Sequence, residues 1–590
     1  MLLPVIAVVC AGVAIVGILA AQAMQARSHL TAARDSLATV ESGLREGRLR
    51  PDDHRIQQAV AAAARNTHIA HGLTSGRMWR WAAAVPVAGC PLRSSASLAA
   101  AADTLTSQVI RPLAALAPVA NPQRGPGGVT VNVTRVRAAA GQVAQLAEDM
   151  RLIRNGIDRA SACGLLGRGL GVTDARSELS TRVGRLDAMV TDLRAATALL
   201  PGMLGADQPR RYLLVVQNDG ESRATGGIIG GYGFLRAAHG RLSVDVSTAR
   251  LPSFGTTPVL ALDKEMQTRY ARFGIAQYWA NPNLTPDYPT AARIFAAMWA
   301  KGTGQHVDGV VTVDPTLLGY LLAAVGSARM PDGQLVNGQQ LAPLLESQIY
   351  ARIPTNEQRD VYFSAAGAAI YRALLASGTS PVRLLPALGR GAGEGRLLVW
   401  SRRPAEQRTL QTTPLAGELP STPGPFLGVV TQNAAGSKLD YWLRRATDYR
   451  LRRLADGSAE ATLTVRVTNT APPRGLPAYV RLRIEDGAPR HPPPAQNKIY
   501  LSVYTGVGAG FTGATLDGRP TTLESETEKG HGVFSTFLTI NAGQTRTLRL
   551  VIAEPLWGPR VTIRPQPLVQ PERLTVTGAK ISPVSADIAP

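Results

Sequence analysis

The sequence predicts a multidomain α+β protein: an N-terminal transmembrane helix over 2–21, a helical leader over 24–206, a central α/β domain over 207–410, a C-terminal antiparallel β-sandwich-like domain over 425–581, and a disordered tail over 582–590. Three observations predict it. An uncharged apolar run opens the chain. Alanine, leucine and arginine with apolar positions three and four apart follow it. After Arg210 that pattern gives way to short alternating runs punctuated by Gly, Asn and Asp.

The opening run is LLPVIAVVCAGVAIVGILAA, Leu2 to Ala21, and the next charge is Arg27. About 20 apolar residues at 1.5 Å rise just span a hydrocarbon core of roughly 30 Å. A secretory signal has a shorter apolar core, a basic start and a small-residue cleavage site. Ala20-Ala21-Gln22-Ala23 can be read as such a site, but the length favours an uncleaved anchor. No basic residue precedes the run, so flanking charge does not orient it. The single span and the cysteines lead us to expect a single-pass cell-membrane protein with its bulk extracytoplasmic. Cys10 lies inside the run, which leaves Cys90 and Cys163. An oxidising compartment lets these two pair; the alternative is two unrelated buried thiols.

The net charge is +21, carried almost wholly by arginine, with only six lysines. Such a surface favours anionic partners: lipid headgroups, phosphorylated glycans and polyphosphates. The chain has no nucleic-acid-binding motif and no basic tail, so nucleic acid is not an expected partner.

The leader predicts helices at Ser28–Leu44, Asp53–Leu73, Ser97–Leu116 (kinked at Pro112), Val136–Ala160 and Thr173–Leu200, with a loop at Asn121–Gly127. From Arg210 the reading is a short β run, RRYLLVVQN, then a glycine-rich turn, a strand, a His239-Gly240 turn and another strand. Helices follow at Pro289–Lys301, near Pro315 and at Glu357–Ser377, alternating with strands. Beyond about 425, segments such as SAEATLTVRVTNT and TRTLRLVIAE alternate apolar and polar residues.

The densest polar cluster directly follows the first core strand: Gln217-Asn218-Asp219-Gly220-Glu221-Ser222-Arg223-Ala224-Thr225-Gly226-Gly227. Loops at strand ends are common places for ligand-binding groups. Asn218 and Thr225 can donate or accept, Glu221 can ligate a hard cation, and Arg223 can grip a phosphate through two bonds. Gly226 and Gly227 let backbone N–H groups approach an anion. The competing reading is a capped turn in which Glu221 and Arg223 form a structural pair. GGIIGGYG has neither the Lys-Ser/Thr of a P-loop nor the spacing of a dinucleotide fingerprint. His306 and Asp308 share a strand face, but two ligands do not make a metal site.

At this cluster the chain resembles the bacterial family built on domain of unknown function 4012. YLLVVQNDGESRATGGIIGGYG, Tyr212 to Gly233, is similar to that family's hallmark, with Glu221, Arg223, Gly226 and Gly227 on motif positions. VDGVVTVDPTLLGYLLAAVG and SKLDYWLRR, Ser437 to Arg445, extend the resemblance, as do the family's anchor and helical leader. The middle domain is also similar in layout to the LytR-CpsA-Psr phosphotransferases, which attach lipid-pyrophosphate-linked glycans using arginines on the pyrophosphate and aspartates on magnesium. Asp219, Glu221 and Arg223 stand at the matching strand end, Gly333–Leu341 matches a further motif, and Tyr350, Arg352 and Arg359 follow. That family's Pro-Arg-Asp strand has no counterpart beyond Arg250.

The resemblance implies a cell-envelope protein binding a phosphorylated or lipid-linked glycan, such as a polyprenyl-pyrophosphate-linked glycan, or another anionic envelope polymer. As a phosphotransferase it would set Arg223, with Arg352 or Arg359, on the pyrophosphate, and Asp219 or Glu221 on Mg²⁺. The rival is a non-catalytic envelope assembly or scaffold protein that binds protein or polysaccharide.

Overall fold

The computed structural model describes residues 2–45, 54–86, 89–116, 122–125, 128–160, 163–169, 171–247, 250–377, 381–421, 423–485 and 493–581; the tail expected over 582–590 lies outside them. The chain divides into two compact units, one comprising 1–123 and 131–202, the other 124–130 and 203–590.

The first unit is helical. Its long helices are Leu2–Arg45, His54–Ser75, Cys90–Thr104, Val133–Arg159 and Val172–Met203. Their apolar stripes meet in a core that includes Leu98, Val109, Val143, Met150 and Val190. Asn132 caps Val133–Arg159 by accepting from the Arg135 N–H at 3.0 Å. The expected kink at Pro112 is preceded by a wide π turn, Leu105–Ile110, and the last helix runs on through Pro201.

The single-pass anchor does not hold. Leu2–Arg45 is one helix of 44 residues, and the side chains of 2–13 lie outside the described residues. Of the apolar run, the part whose side chains are described is Ala14–Ala21, and Gln22, Gln25 and Arg27 follow it. Past it, Ala26 and Ala33 are buried, and the His29 Nδ1 lies 2.8 Å from the Asn66 Oδ1 of the neighbouring helix. Among the described residues no helix is long and apolar enough to cross a membrane. The expected transmembrane segment, and the membrane localisation built on it, are therefore corrected.

Cys90 and Cys163 form a disulfide, with Cα atoms 5.7 Å apart and 73 residues between them in sequence. Cross-linking a loop of that length removes denatured-state entropy worth roughly 2–5 kcal/mol. Cys90→Ser is expected to destabilise the helical unit by that amount. The check is chemical denaturation, in which reductant should lower the midpoint of the parent chain and leave the variant unmoved.

The second unit combines a seven-stranded sheet with two six-stranded sheets. In the seven-stranded sheet, Arg210–Arg223 is an interior strand, antiparallel to Gly226–Ala238 and parallel to Gly309–Val313. Arg241–Val246 and Leu398–Ser401 extend it on either side. The glycine-rich GGIIGGYG is strand, not turn. Gly233 shows why: a Cβ there would press on the Asp245 carbonyl of the next strand. His239 and Gly240, both at positive φ, make the hairpin turn that follows. Helix Tyr288–Thr303 packs Tyr288, Phe295 and Trp299 against the sheet. Helix Pro315–Val325 starts on Asp314, whose Oδ1 accepts from the Leu317 N–H at 2.7 Å.

The two six-stranded sheets enclose an apolar core of alternating residues such as Leu463, Val465, Leu501, Leu548 and Leu550. The pairing is mixed, because Arg560–Arg564 and Arg573–Thr577 join in parallel. The architecture is thus mixed α/β and multidomain, and among the described residues no helix is long and apolar enough to span a membrane.

Candidate functional site

The polar cluster expected as a loop is strand. Arg210–Arg223 runs unbroken to its last residue, with register shifts after Val216 and after Asn218. Those bulges leave Asp219 to Glu221 without cross-strand partners and turn their side chains to different neighbours. Asp219, Glu221 and Arg223 are all buried, at 0%, 9% and 8% exposure.

Segments far along the chain do the burying. Phe426–Asn433 and the short turn Leu439–Trp442 pack onto the strand end. An apolar cluster of Ala224, Leu419, Phe426, Val430, Tyr504 and Val533 seals the contact.

Glu221 forms a buried ion pair with Lys438. Burial presses the Lys438 ammonium down, and the Glu221 carboxylate more than reverses this, so its affinity for a proton ends above the ordinary value. The Lys438 Nζ also lies 5.4 Å from the Tyr350 ring centre, and Tyr350 Oη accepts from Asn218 Nδ2 at 2.7 Å. Asp440 accepts from the Ser222 N–H at 2.9 Å, from Asn433 Nδ2 at 2.9 Å and from Asn497 Nδ2 at 2.7 Å. Burial lifts its carboxyl to about 6, with those donors limiting the rise.

Arg223 faces carbonyls. Its Nε donates to Ala280 O at 3.1 Å, and its Nη1 to Ser222 O at 3.0 Å and Asn433 O at 3.3 Å. Burial lowers its proton affinity. A guanidinium held this way has to give up internal hydrogen bonds before it can take a phosphate.

Asp219 belongs to a second cluster. Arg396 Nη1 donates to Asp219 Oδ2 at 3.2 Å and to Asp314 Oδ2 at 2.7 Å, while its Nη2 donates to Leu568 O at 2.7 Å. Glu346, on the turn Leu344–Gln348, is fully buried beside them. Both of its oxygens, and Asp219 Oδ1, make no hydrogen bond. Burial, then the Asp314 carboxylate, raises Glu346 to about 8. Burial, then Asp314 and Glu346, raises Asp219 well above the carboxylate range.

Thr225 accepts from Gln217 Nε2 at 2.9 Å. Gly226 has φ 134°, and a Cβ on Gly227 would overlap the Asn218 carbonyl carbon and oxygen. The two glycines therefore let the hairpin close onto its own bulge. Gly227→Ala is expected to cost about 3 kcal/mol or more, because the obstacle is backbone. Urea denaturation with circular dichroism checks it.

The remaining expected residues stand apart. Arg352 is exposed, donating to Gln334 Oε1 at 2.8 Å and Gln348 Oε1 at 3.0 Å. Arg359 is buried, donating to Ile353 O at 2.7 Å and Pro354 O at 3.0 Å, with its guanidinium 4.0 Å from the Tyr479 ring centre. Through Tyr350, Arg359 reaches the Lys438 side of the cluster, where Arg223 also feels the Glu221 and Asp440 carboxylates. His306 pairs with Arg402 at 2.9 Å. Among the described residues no group of three or more His, Cys, Asp or Glu is placed to hold a metal ion. Asp219 and Glu221 meet Arg396 and Lys438 instead, an arrangement that does not fit Mg²⁺ ligation.

Sequence reasoning missed Lys438, Asp440, Asp314, Glu346 and Arg396 as members of the site. SKLDYWLRR already contained Lys438 and Asp440, and the Asp-Pro at 314–315 was a readable helix start. Nothing local marks Arg396.

No curated protein and no solved structure matches the chain. Residues 207–350, which hold the strand Arg210–Arg223, its glycine-rich partner, Asp314 and Glu346, match the family model described as "Protein of unknown function (DUF4012)".

Proposed function

We propose that this chain is a non-catalytic assembly or scaffold protein, in which the Gln217–Gly227 segment is an internal lock that seats the two β sheets on the α/β domain. One observation carries the reading. The charged side chains at the strand end are buried and already partnered within the chain: Glu221 by Lys438, Asp219 by Arg396, Arg223 by three carbonyls.

A phosphotransferase of the LytR-CpsA-Psr kind needs arginines free to meet a pyrophosphate and carboxylates free to hold a metal. Arg223 is committed to carbonyls and Arg352 stands elsewhere. The experiment compares the parent chain with Arg223→Ala and Glu221→Ala for turnover of a polyprenyl-pyrophosphate-linked glycan and for stability. The scaffold reading predicts no turnover by the parent and a large stability loss in both variants. Turnover by the parent, abolished in a variant that stays folded, overturns it.

A further inference from the structure

One open face of the second unit carries more arginine charge than the carboxylates on it neutralise. In the sheet built on Leu443–Arg453, Ala459–Asn469, Thr545–Glu554 and Arg573–Thr577, buried residues alternate with outward ones. The register sets the outward residues in rows. Arg573, Ala446, Arg466 and Thr547 lie side by side across four strands. In the next row stand Thr575, Asp448, Thr464 and Arg549.

Two carboxylates interrupt the face; each is hydrogen-bonded by one arginine, and Asp448 also feels the charge of Arg466. Arg450 donates to Asp448 at 2.8 Å, and Arg452 to Glu460 at 3.0 Å. Arg444, Arg466, Arg549 and Arg573 are exposed, and no carboxylate among the described residues lies within salt-bridge distance of them. Strands stand about 4.8 Å apart and alternate residues about 6.8 Å apart along a strand. The positions of Arg466 and Arg549 are diagonal neighbours at roughly 8 Å, and those of Arg573 and Arg466 are two strands, about 10 Å, apart.

We infer that this face docks a linear polymer of sugars or polyols joined through phosphodiesters. A guanidinium matches a phosphate through two parallel hydrogen bonds, and its charge does not titrate away. The threonine hydroxyls between the arginines donate and accept, as sugar hydroxyls require. The two rows hold no aromatic ring, so the face offers nothing on which nucleic-acid bases stack. They hold no large apolar side chain either, which sets the face apart from the apolar centre of a protein interface. The inference goes beyond the scaffold reading and rests on it only in placing the ligand on this face instead of at the strand end.

The test uses the full chain and poly(glycerol phosphate) as the probe, with polygalacturonate and oligothymidylate as comparisons. The variant is Arg466→Gln with Arg549→Gln, both exposed. The expected result is salt-dependent binding of the probe, weakened about tenfold or more in the variant at an unchanged unfolding midpoint. Unchanged binding by the variant overturns the inference. So does equal or tighter binding of polygalacturonate or of oligothymidylate, which would make the face a carboxylate or nucleic-acid site. Loss of probe binding in Arg223→Ala but not in the face variant would move the ligand to the strand end. Turnover of a lipid pyrophosphate by the parent chain would sink the scaffold reading alone and leave this result standing.

Discussion

Arg396→Ala is expected to destabilise the second unit by roughly 3–5 kcal/mol at neutral pH, because it leaves buried carboxylates without their counter-charge. Arg396 is the only cation that donates to both Asp219 and Asp314 among the described residues, and both carboxylates are at most 1% exposed. The change also strands the Leu568 carbonyl, which tethers a segment more than 170 residues away. The cost depends on pH in a way that a simple cavity would not. As the medium becomes more acidic Glu346 and Asp219, both raised by burial, are more fully protonated, and the missing cation matters less. Urea denaturation at pH 5 and pH 8 should show a smaller loss at pH 5. An equal loss at both would mean that packing, not charge, is what Arg396 supplies.

The second large effect is the pH dependence itself. Glu346 is raised from an ordinary value of 4.5 to about 8. Its folded form therefore keeps a proton that the unfolded chain has already released. Stability from this group is fully present below about 4.5 and is lost as pH rises through about 8. Across that window one proton contributes a slope of about 1.4 kcal/mol per pH unit. Asp440, raised to about 6, and Glu554, raised to about 7, act in the same direction over narrower windows. Among the described residues, Asp219, Asp314, Arg396, Lys438 and Tyr441 are charged and titratable groups that face Glu346. Glu346→Gln should remove one proton's slope and make the variant the more stable chain above pH 8. Denaturation series from pH 5 to 9 check this, and parallel curves for parent and variant would sink it.

What could be read in advance divides along physical lines. Local pattern was enough for Cys90 with Cys163, for the apolar stripes of the leader, and for the alternation seen in SAEATLTVRVTNT. It was not enough for the strand end. Polar residues after an apolar run look like a loop, because a single sequence does not show the segment that will cover them. Here the cover comes from Asn433 to Asp440 and from Gln566 to Leu568, more than 200 residues downstream of the strand. The glycine run misled for a related reason. Glycine marks turns, and it also marks places where another backbone comes close, as at Gly227 and Gly233. Composition alone suggests a span for the N-terminal run, whereas the helix it opens continues to Arg45 with buried alanines facing a neighbour.

The central claim is that the strand-end motif is an internal lock. A double-mutant cycle on Glu221 and Lys438, whose side chains are only 12% and 7% exposed, tests it most directly. The measurement is unfolding free energy for the parent, Glu221→Gln, Lys438→Met and the pair. The lock predicts that each single change costs roughly 3–5 kcal/mol, since each leaves one buried charge alone. It also predicts that the double change costs far less than the sum, with a coupling of about 2 kcal/mol or more. Single variants within about 0.5 kcal/mol of the parent, and no coupling between them, would contradict it.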